Sequence, residues 1–181
     1  MVQKSEKSVC IIGAGASGCM CTYFLLKNGI KNVTLFDFAS PLKTLLPTGG
    51  GRCNYANAEY DFKELAGNYP RGEKFLYSVF SKFSTDDTIS VFKDLGLESY
   101  VQEDGRIFPV SNSAKDVRKK ILSNIKEANF IQEPIEAITP VDGGYRVKSA
   151  KADYFFTDVV IATGGGLKSK KIRGLELNII G

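Results

Sequence analysis

Histidine is absent from the 181 residues, and that absence excludes most hydrolytic chemistry. Ser–His and Cys–His nucleophile pairs, HExxH zinc sites and imidazole general bases all need a side chain this sequence does not carry. Cysteine is scarce: Cys10, Cys19, Cys21 and Cys53 form no CxxC pair. No secretory context accompanies them, so reduced thiols in a cytoplasm are expected rather than disulfides or a metal site. No uninterrupted apolar run approaches the roughly 18 residues of a membrane span, and glycines break the N-terminal apolar stretch. A soluble cytoplasmic protein with no membrane partner is the expectation. Excess charge is small as well. Lys+Arg 24 against Asp+Glu 20 give +4, and Lys168, Lys170, Lys171 and Arg173 minus Glu176 put +3 of it in the last sixteen residues. The remaining body lacks the dense basic face that phosphate-backbone binding requires, so no nucleic-acid partner is expected.

What is present is an ordinary globular composition, 43% hydrophobic and 24% charged, enough for a core. The apolar run Val9-Cys10-Ile11-Ile12 enters Gly13-Ala14-Gly15-Ala16-Ser17-Gly18, a buried strand running into a glycine turn. From Ala16 to Asn28, Cys19, Met20, Tyr23, Phe24 and Leu26 recur at helical spacing, with Asn28-Gly29 as the stop. Val33-Thr34-Leu35-Phe36 then reads as a second strand. Strand, helix and strand at this spacing predict a βαβ unit and a parallel sheet covered by helices. Pro41 to Ala58 reads as an ordered loop, neither helix nor strand. Helices are predicted at Asp61–Ala66, Gly72–Phe83 and Thr85–Leu95, the last capped by Ser84 and stopped by Gly96. Ser99–Glu103 and Arg106–Val110 flank the hairpin signal Asp104-Gly105. A helix over Ser113–Lys126 places Val117, Ile121, Leu122 and Ile125 on one side. The last third predicts strands at Phe130-Ile131, Ile135–Val141, Tyr145–Lys148, Tyr154–Phe156 and a buried run Val159-Val160-Ile161-Ala162.

The glycine turn has the full context of a dinucleotide fingerprint. Gly13 allows the tight turn, Gly15 lets the backbone approach a pyrophosphate, and Gly18 lets the helix pack closely on the strand. The helix start offers N–H groups and a partial positive charge to phosphates. Asp37, nineteen residues after Gly18, sits where a carboxylate accepts hydrogen bonds from an adenosine ribose and repels a 2′-phosphate. FAD and NAD both satisfy these features. Thr48-Gly49-Gly50-Gly51-Arg52-Cys53-Asn54 adds three consecutive glycines, a backbone able to line a flat or anionic ligand. Two plainer roles stay open within it: Arg52 pairing with a surface carboxylate, and Cys53 as a small packing residue. Arg106, Phe108 and Pro109 read equally as a hairpin packed on the inserted layer.

Four motifs, GAGASG at 13–18, TGGGRCN at 48–54, GRIFPVSNSAKDV at 105–117 and VVIATGG at 159–165, together resemble bacterial NAD(P)/FAD-dependent flavoproteins that include the bile-acid-inducible flavin reductases and aminoacetone-oxidase-like proteins. The resemblance covers nearly the whole chain and the N-terminal half of the family's usual length. It implies an α/β fold: a Rossmann-like, glutathione-reductase-like FAD-binding domain with a parallel sheet, helices and a β-meander. It also implies that Gly13, Gly15, Ala16, Ser17, Gly18 and Asp37 hold pyrophosphate and ribose. Gly49, Gly50, Gly51, Arg52, Cys53 and Asn54 would run beside the flavin, Ile135 would present backbone groups to adenine, and Thr163 and Gly164 would close over the cofactor.

On this reading the chain is a single, incomplete domain: a βαβ unit over 1–40, a glycine loop with a helical and hairpin insert over 41–110, helix, meander and ATGG strand over 111–166, and a basic tail over 167–181. The implied function is hydride transfer from a reduced nicotinamide through FAD to a small organic acceptor or oxygen. The family's substrate-side half lies outside the sequence, so whether the chain is itself an enzyme stays open. A non-catalytic dinucleotide-binding fragment and a flavin-free NAD-dependent dehydrogenase are the alternatives. No catalytic residue is assigned; Tyr, Cys and Lys remain formally able to act as acid or base.

Overall fold

The computed structural model describes residues 7–164. The basic run Lys168–Arg173 and the second glycine of the terminal ATGG, Gly165, lie outside the described residues. The chain forms β1 (Ser8–Ile12), α1 (Ala16–Lys27), β2 (Asn32–Phe36), β3 (Ala56–Asn57), α2 (Phe62–Gly67), α3 (Glu73–Phe80), α4 (Thr85–Asp94), β4 (Ser99–Val101), β5 (Arg106–Pro109), α5 (Ala114–Asn124), β6 (Asn129–Ile131), β7 (Ile135–Val141), β8 (Gly144–Ser149), β9 (Asp153–Phe156) and β10 (Asp158–Ile161). These divide into two compact units, residues up to 44 with those from 121 onward, and residues 45–120.

The first unit is built on a parallel sheet of order β10-β1-β2-β6, with Cys10 level with both Val159 and Thr34. The two central strands have neighbours on both sides, which is why their sequences are almost continuously apolar; Cys10, Ile11, Val33 and Phe36 are fully buried. The sheet confirms the α/β, Rossmann-like architecture. One expectation is corrected: Val159, Val160 and Ile161 are half-buried, not buried, because β10 stands at an edge of the described sheet and is covered from one side. An antiparallel meander, β7-β8-β9, supplies the second apolar face. Phe36 meets it edge-on, its ring 5.0 Å from Tyr154 and 6.1 Å from Phe156, and Cys10, Ile12, Ile138 and Val147 complete the cluster. Burial pushes the Cys10 thiol up to about 12, so it packs as a small apolar side chain at neutral pH. α1 ends as its Asn28-Gly29 signal predicts: Gly29 turns left-handed and the N–H of Ile30 returns to the Leu25 carbonyl.

The second unit carries helices α2 to α4 and the three-stranded antiparallel sheet β3-β5-β4. α4 opens with a capping box between Ser84 and Asp87, the reciprocal arrangement that satisfies two orphan donors. Three boundaries differ from the sequence reading. The segment 41–58 contains two short 3-10 turns, Lys43–Leu45 and Thr48–Gly51, and the two-residue strand β3. β3 exists only through pairing with β5 (Ala56 with Ile107), a tertiary contact that no local periodicity reports. α3 stops at Phe80, where the N–H groups of Lys82 and Phe83 both turn to the Val79 carbonyl. The hairpin strand predicted to Glu103 ends at Val101, because residues 102–105 close the turn through a Gly105 N–H bond to the Gln102 carbonyl. On α5, Val117, Ile121 and Ile125 are buried and Leu122 is half-buried.

The sheet–meander cluster makes a stability prediction. Phe36→Ala removes a fully buried ring from between two layers and should cost about 3–5 kcal/mol, read as a lower urea midpoint in chemical denaturation. A change below about 1 kcal/mol would show that the two layers do not depend on this ring.

Candidate dinucleotide-binding site

At the carboxyl end of the parallel sheet the chain turns from β1 into α1 through Gly13, Ala14 and Gly15. Three strand ends converge there by backbone alone: the Gly13 N–H donates to the Phe36 carbonyl at 2.7 Å, and the Ala162 N–H donates to the Ile12 carbonyl at 2.8 Å. The glycines divide by cause. A Cβ at Gly13, where φ is +107°, would overlap the Ala162 carbonyl, and one at Gly18 would overlap the Gly13 carbonyl. Both are demanded by packing. Gly15 is different: its φ of −76° suits any residue, and no atom lies within 4 Å of where its Cβ would be. Nothing in the described protein explains glycine at this place, whereas a group pressed against the backbone would. α1 starts here without a side-chain cap, so its first-turn N–H groups are left to a ligand. Ala16 and Ser17 are exposed on that turn.

Asp37 lies one residue beyond β2, as its spacing predicts. Its carboxylate holds the turn: Oδ2 accepts from the Ala14 N–H at 2.8 Å and Oδ1 from the Ala39 N–H at 2.9 Å. Each oxygen keeps a further acceptor site, so Asp37 can serve protein and ribose at once. The first of these roles was not visible in the spacing. Thr163 follows β10, its backbone nitrogen 3.0 Å from a Cβ placed at Gly13, and Gly164 is exposed with φ +78°. Ile135 opens β7 opposite Ser149, next to a register irregularity, half-buried against the sheet–meander cluster.

The TGGGRCN loop belongs to the second unit. Gly49, Gly50, Gly51 and Cys53 all have positive φ, 57°, 69°, 86° and 65°; the loop is a run of left-handed residues closed by the Cys53 N–H on the Thr48 carbonyl at 3.0 Å. Gly49 sits on the hairpin, where a Cβ would lie 2.9 Å from Phe108 Cε1, while the space at Gly50 is open. Arg52 stacks its guanidinium 4.0 Å from the Phe108 ring centre. Its Nε donates to the Gly49 carbonyl at 3.2 Å and its Nη1 to Gln102 Oε1 at 3.1 Å. Among the described residues no carboxylate pairs with it, so the surface ion pair left open above does not form. Cys53 takes the packing role: it is buried, and burial raises its thiol pKa against the opposing Thr48 hydrogen bond. Asn54 is exposed. Gln102 is the residue the sequence reading missed; only its position beside the Asp104-Gly105 turn hinted at a supporting role.

The glycine turn, uncapped helix and terminal carboxylate define a Rossmann-type dinucleotide-binding fold. The chain belongs to the family described as HI0933-like protein Rossmann domain, whose profile matches residues 7–171. Among curated proteins it is similar to the ribosomal RNA dihydrouridine synthase of Haemophilus influenzae, 35% identical over 109 residues, 60% of this chain and 26% of that protein. It is also similar to the 3-dehydro-bile acid delta(4,6)-reductase of Clostridium scindens, 28% identical over 167 residues, 90% of this chain and 40% of that protein. The chain thus spans less than half the length of these relatives, and the family match with the second relative bears out the resemblance carried by the four motifs. Thermovibrio ammonificans THI4 shares the fold, with TM-score 0.54 and 17% identity over 87% of this chain and 57% of that one. Among the described residues no helix is long and apolar enough to cross a membrane.

The contrast between the glycines is testable. Gly15→Ala should leave the thermal midpoint nearly unchanged but weaken dinucleotide binding, whereas Gly18→Ala should overpack the turn and cost roughly 1–3 kcal/mol. Melting curves with and without added FAD separate the two; equal destabilisation by both variants would return Gly15 to a structural role.

Proposed function

We propose that the chain is the FAD-binding part of a flavin-dependent reductase that moves hydride from a reduced nicotinamide to a small unsaturated acceptor or to oxygen. The observation that carries the reading is Gly15, an unfilled backbone position at an uncapped helix start. The family match supports it, as do two relatives whose names, dihydrouridine synthase and delta(4,6)-reductase, both describe saturation of a carbon–carbon double bond. FAD when bound supplies the hydride-accepting and hydride-donating ring. The residues of the chain bind and orient it. Gly15 admits the pyrophosphate to the first-turn N–H groups of Ala16, Ser17 and Gly18. Asp37 accepts from the ribose while holding Ala14 in place. Ile135, Thr163 and Gly164 border the adenine half, and the loop Gly49–Asn54 receives the ring. Four free thiols fit a reducing cytoplasm.

A visible spectrum of purified chain titrated with FAD tests this, because bound flavin absorbs in the visible range and NAD does not. We expect saturable but weak FAD uptake, since the chain spans 40% or less of the curated relatives' length, and NADH oxidation no faster than with free flavin. Asp37→Ala should weaken FAD binding about tenfold or more. Saturable uptake of NAD with none of FAD would favour the flavin-free dehydrogenase, and uptake of neither would leave a fold without this ligand.

A further inference from the structure

Two arginines approach Phe108 in the second unit, and they are treated differently. Arg106, 5.8 Å from the ring centre, is paired with Asp104 through both Nε and Nη2, and the carboxyl of Asp104 is held below its usual range by that guanidinium. Arg52, closer to the ring, is held entirely by neutral groups: a backbone carbonyl, a side-chain amide and the ring itself. The amide is also aimed. Gln102 Nε2 donates to Asp104 Oδ2 at 3.2 Å, which turns its Oε1 toward Arg52 and spends the available carboxylate elsewhere. The result is a half-buried cation, fixed on three sides, whose counter-charge is missing from the described residues. A guanidinium has five N–H donors and two are used. It borders the left-handed glycine run, with the space at Gly50 open. An arginine clamped in this way has lost most of the rotamer freedom that binding an anion would otherwise cost.

We propose that Arg52 is the fixed counter-charge for the flavin ring in its reduced, anionic form, so that this loop binds reduced flavin in preference to oxidised flavin. The proposal rests on the flavin reading above and deepens it. Adding two electrons and one proton to the neutral ring leaves one negative charge on it. A preorganised guanidinium attracts that charge and has little to attract in the oxidised ring. The pyrophosphate is charged in both states, which makes the two anions separable.

The test measures dissociation constants of oxidised FAD and of FAD reduced by excess dithionite, which supplies the two electrons and ends as sulfite. Both are read by anaerobic ultrafiltration with the 181-residue chain. Arg52→Gln should weaken the reduced form about tenfold more than the oxidised form, equal to a midpoint potential lower by about 30 mV for a two-electron couple. Arg52→Lys should lose less of the preference. Gln102→Glu keeps the arginine, gives it a carboxylate, and should lower the preference in the same direction. This second variant guards against simple misfolding, and far-UV circular dichroism checks each protein. Equal weakening of both forms by Arg52→Gln would mean a pyrophosphate contact and overturn the proposal. Unchanged affinities in both variants would overturn it too, leaving flavin binding intact. Failure of the unaltered chain to bind either form would overturn the flavin reading and this proposal together.

Discussion

The helix α1 can lie on the turn after β1 only because two carbonyl groups meet glycines. The Gly13 carbonyl occupies the place of a Gly18 side chain, and the Ala162 carbonyl occupies that of Gly13. From this contact follows the rest of the first unit. The close approach brings the helix start to the ends of β1 and β10, and the bond from the Gly13 N–H to Phe36 ties in β2. Asp37 then reaches back to Ala14. One methyl group at Gly18 would push the helix off the sheet and separate the N–H groups from the carboxylate that complements them. Stability and ligand geometry are therefore set by the same few backbone atoms, while Gly15, standing among them, answers to the ligand alone.

The second unit solves a related problem by other means. Its loop cannot use a helix to fix N–H groups, and it holds four left-handed residues instead. Such a backbone has no regular hydrogen-bond ladder and needs a support. β5 provides it: Phe108 underlies Gly49 and Arg52, and the Ile107 carbonyl accepts from the Tyr55 N–H at 3.2 Å. The TGGGRCN and GRIFP segments are two halves of one arrangement, which gives a physical reason for their joint presence in the sequence.

The βαβ unit, the helix caps and the meander were legible because each is written in local periods: apolar runs, Asn28-Gly29, Ser84 with Asp87, Asp142-Gly143. β3 was not, since two residues carry no period and pair only after a hairpin fifty residues later has formed. The half-burial of β10 was hidden for a similar reason: an apolar run states that a strand is covered, and only the sheet order says on how many sides. At the site, the spacing placed Asp37 correctly but could not show that it also binds the turn. The cation–ring–amide arrangement around Arg52 joins residues 52, 102 and 108, and no single motif contains it.

The outermost bonds of the first unit join Ser8 to Thr157 across a separation of 149 residues. During synthesis at roughly 5–20 residues per second, β1 therefore waits on the order of 7–30 s for its β10 neighbour to leave the ribosome. In that interval the apolar run around Ile11 has an open edge, while residues 45–120, contiguous in the chain, emerge whole and are free to fold first. A nascent chain of this design presents a finished second unit above an unfinished sheet, and it is during this delay that a chaperone bound to β1 would have most to protect.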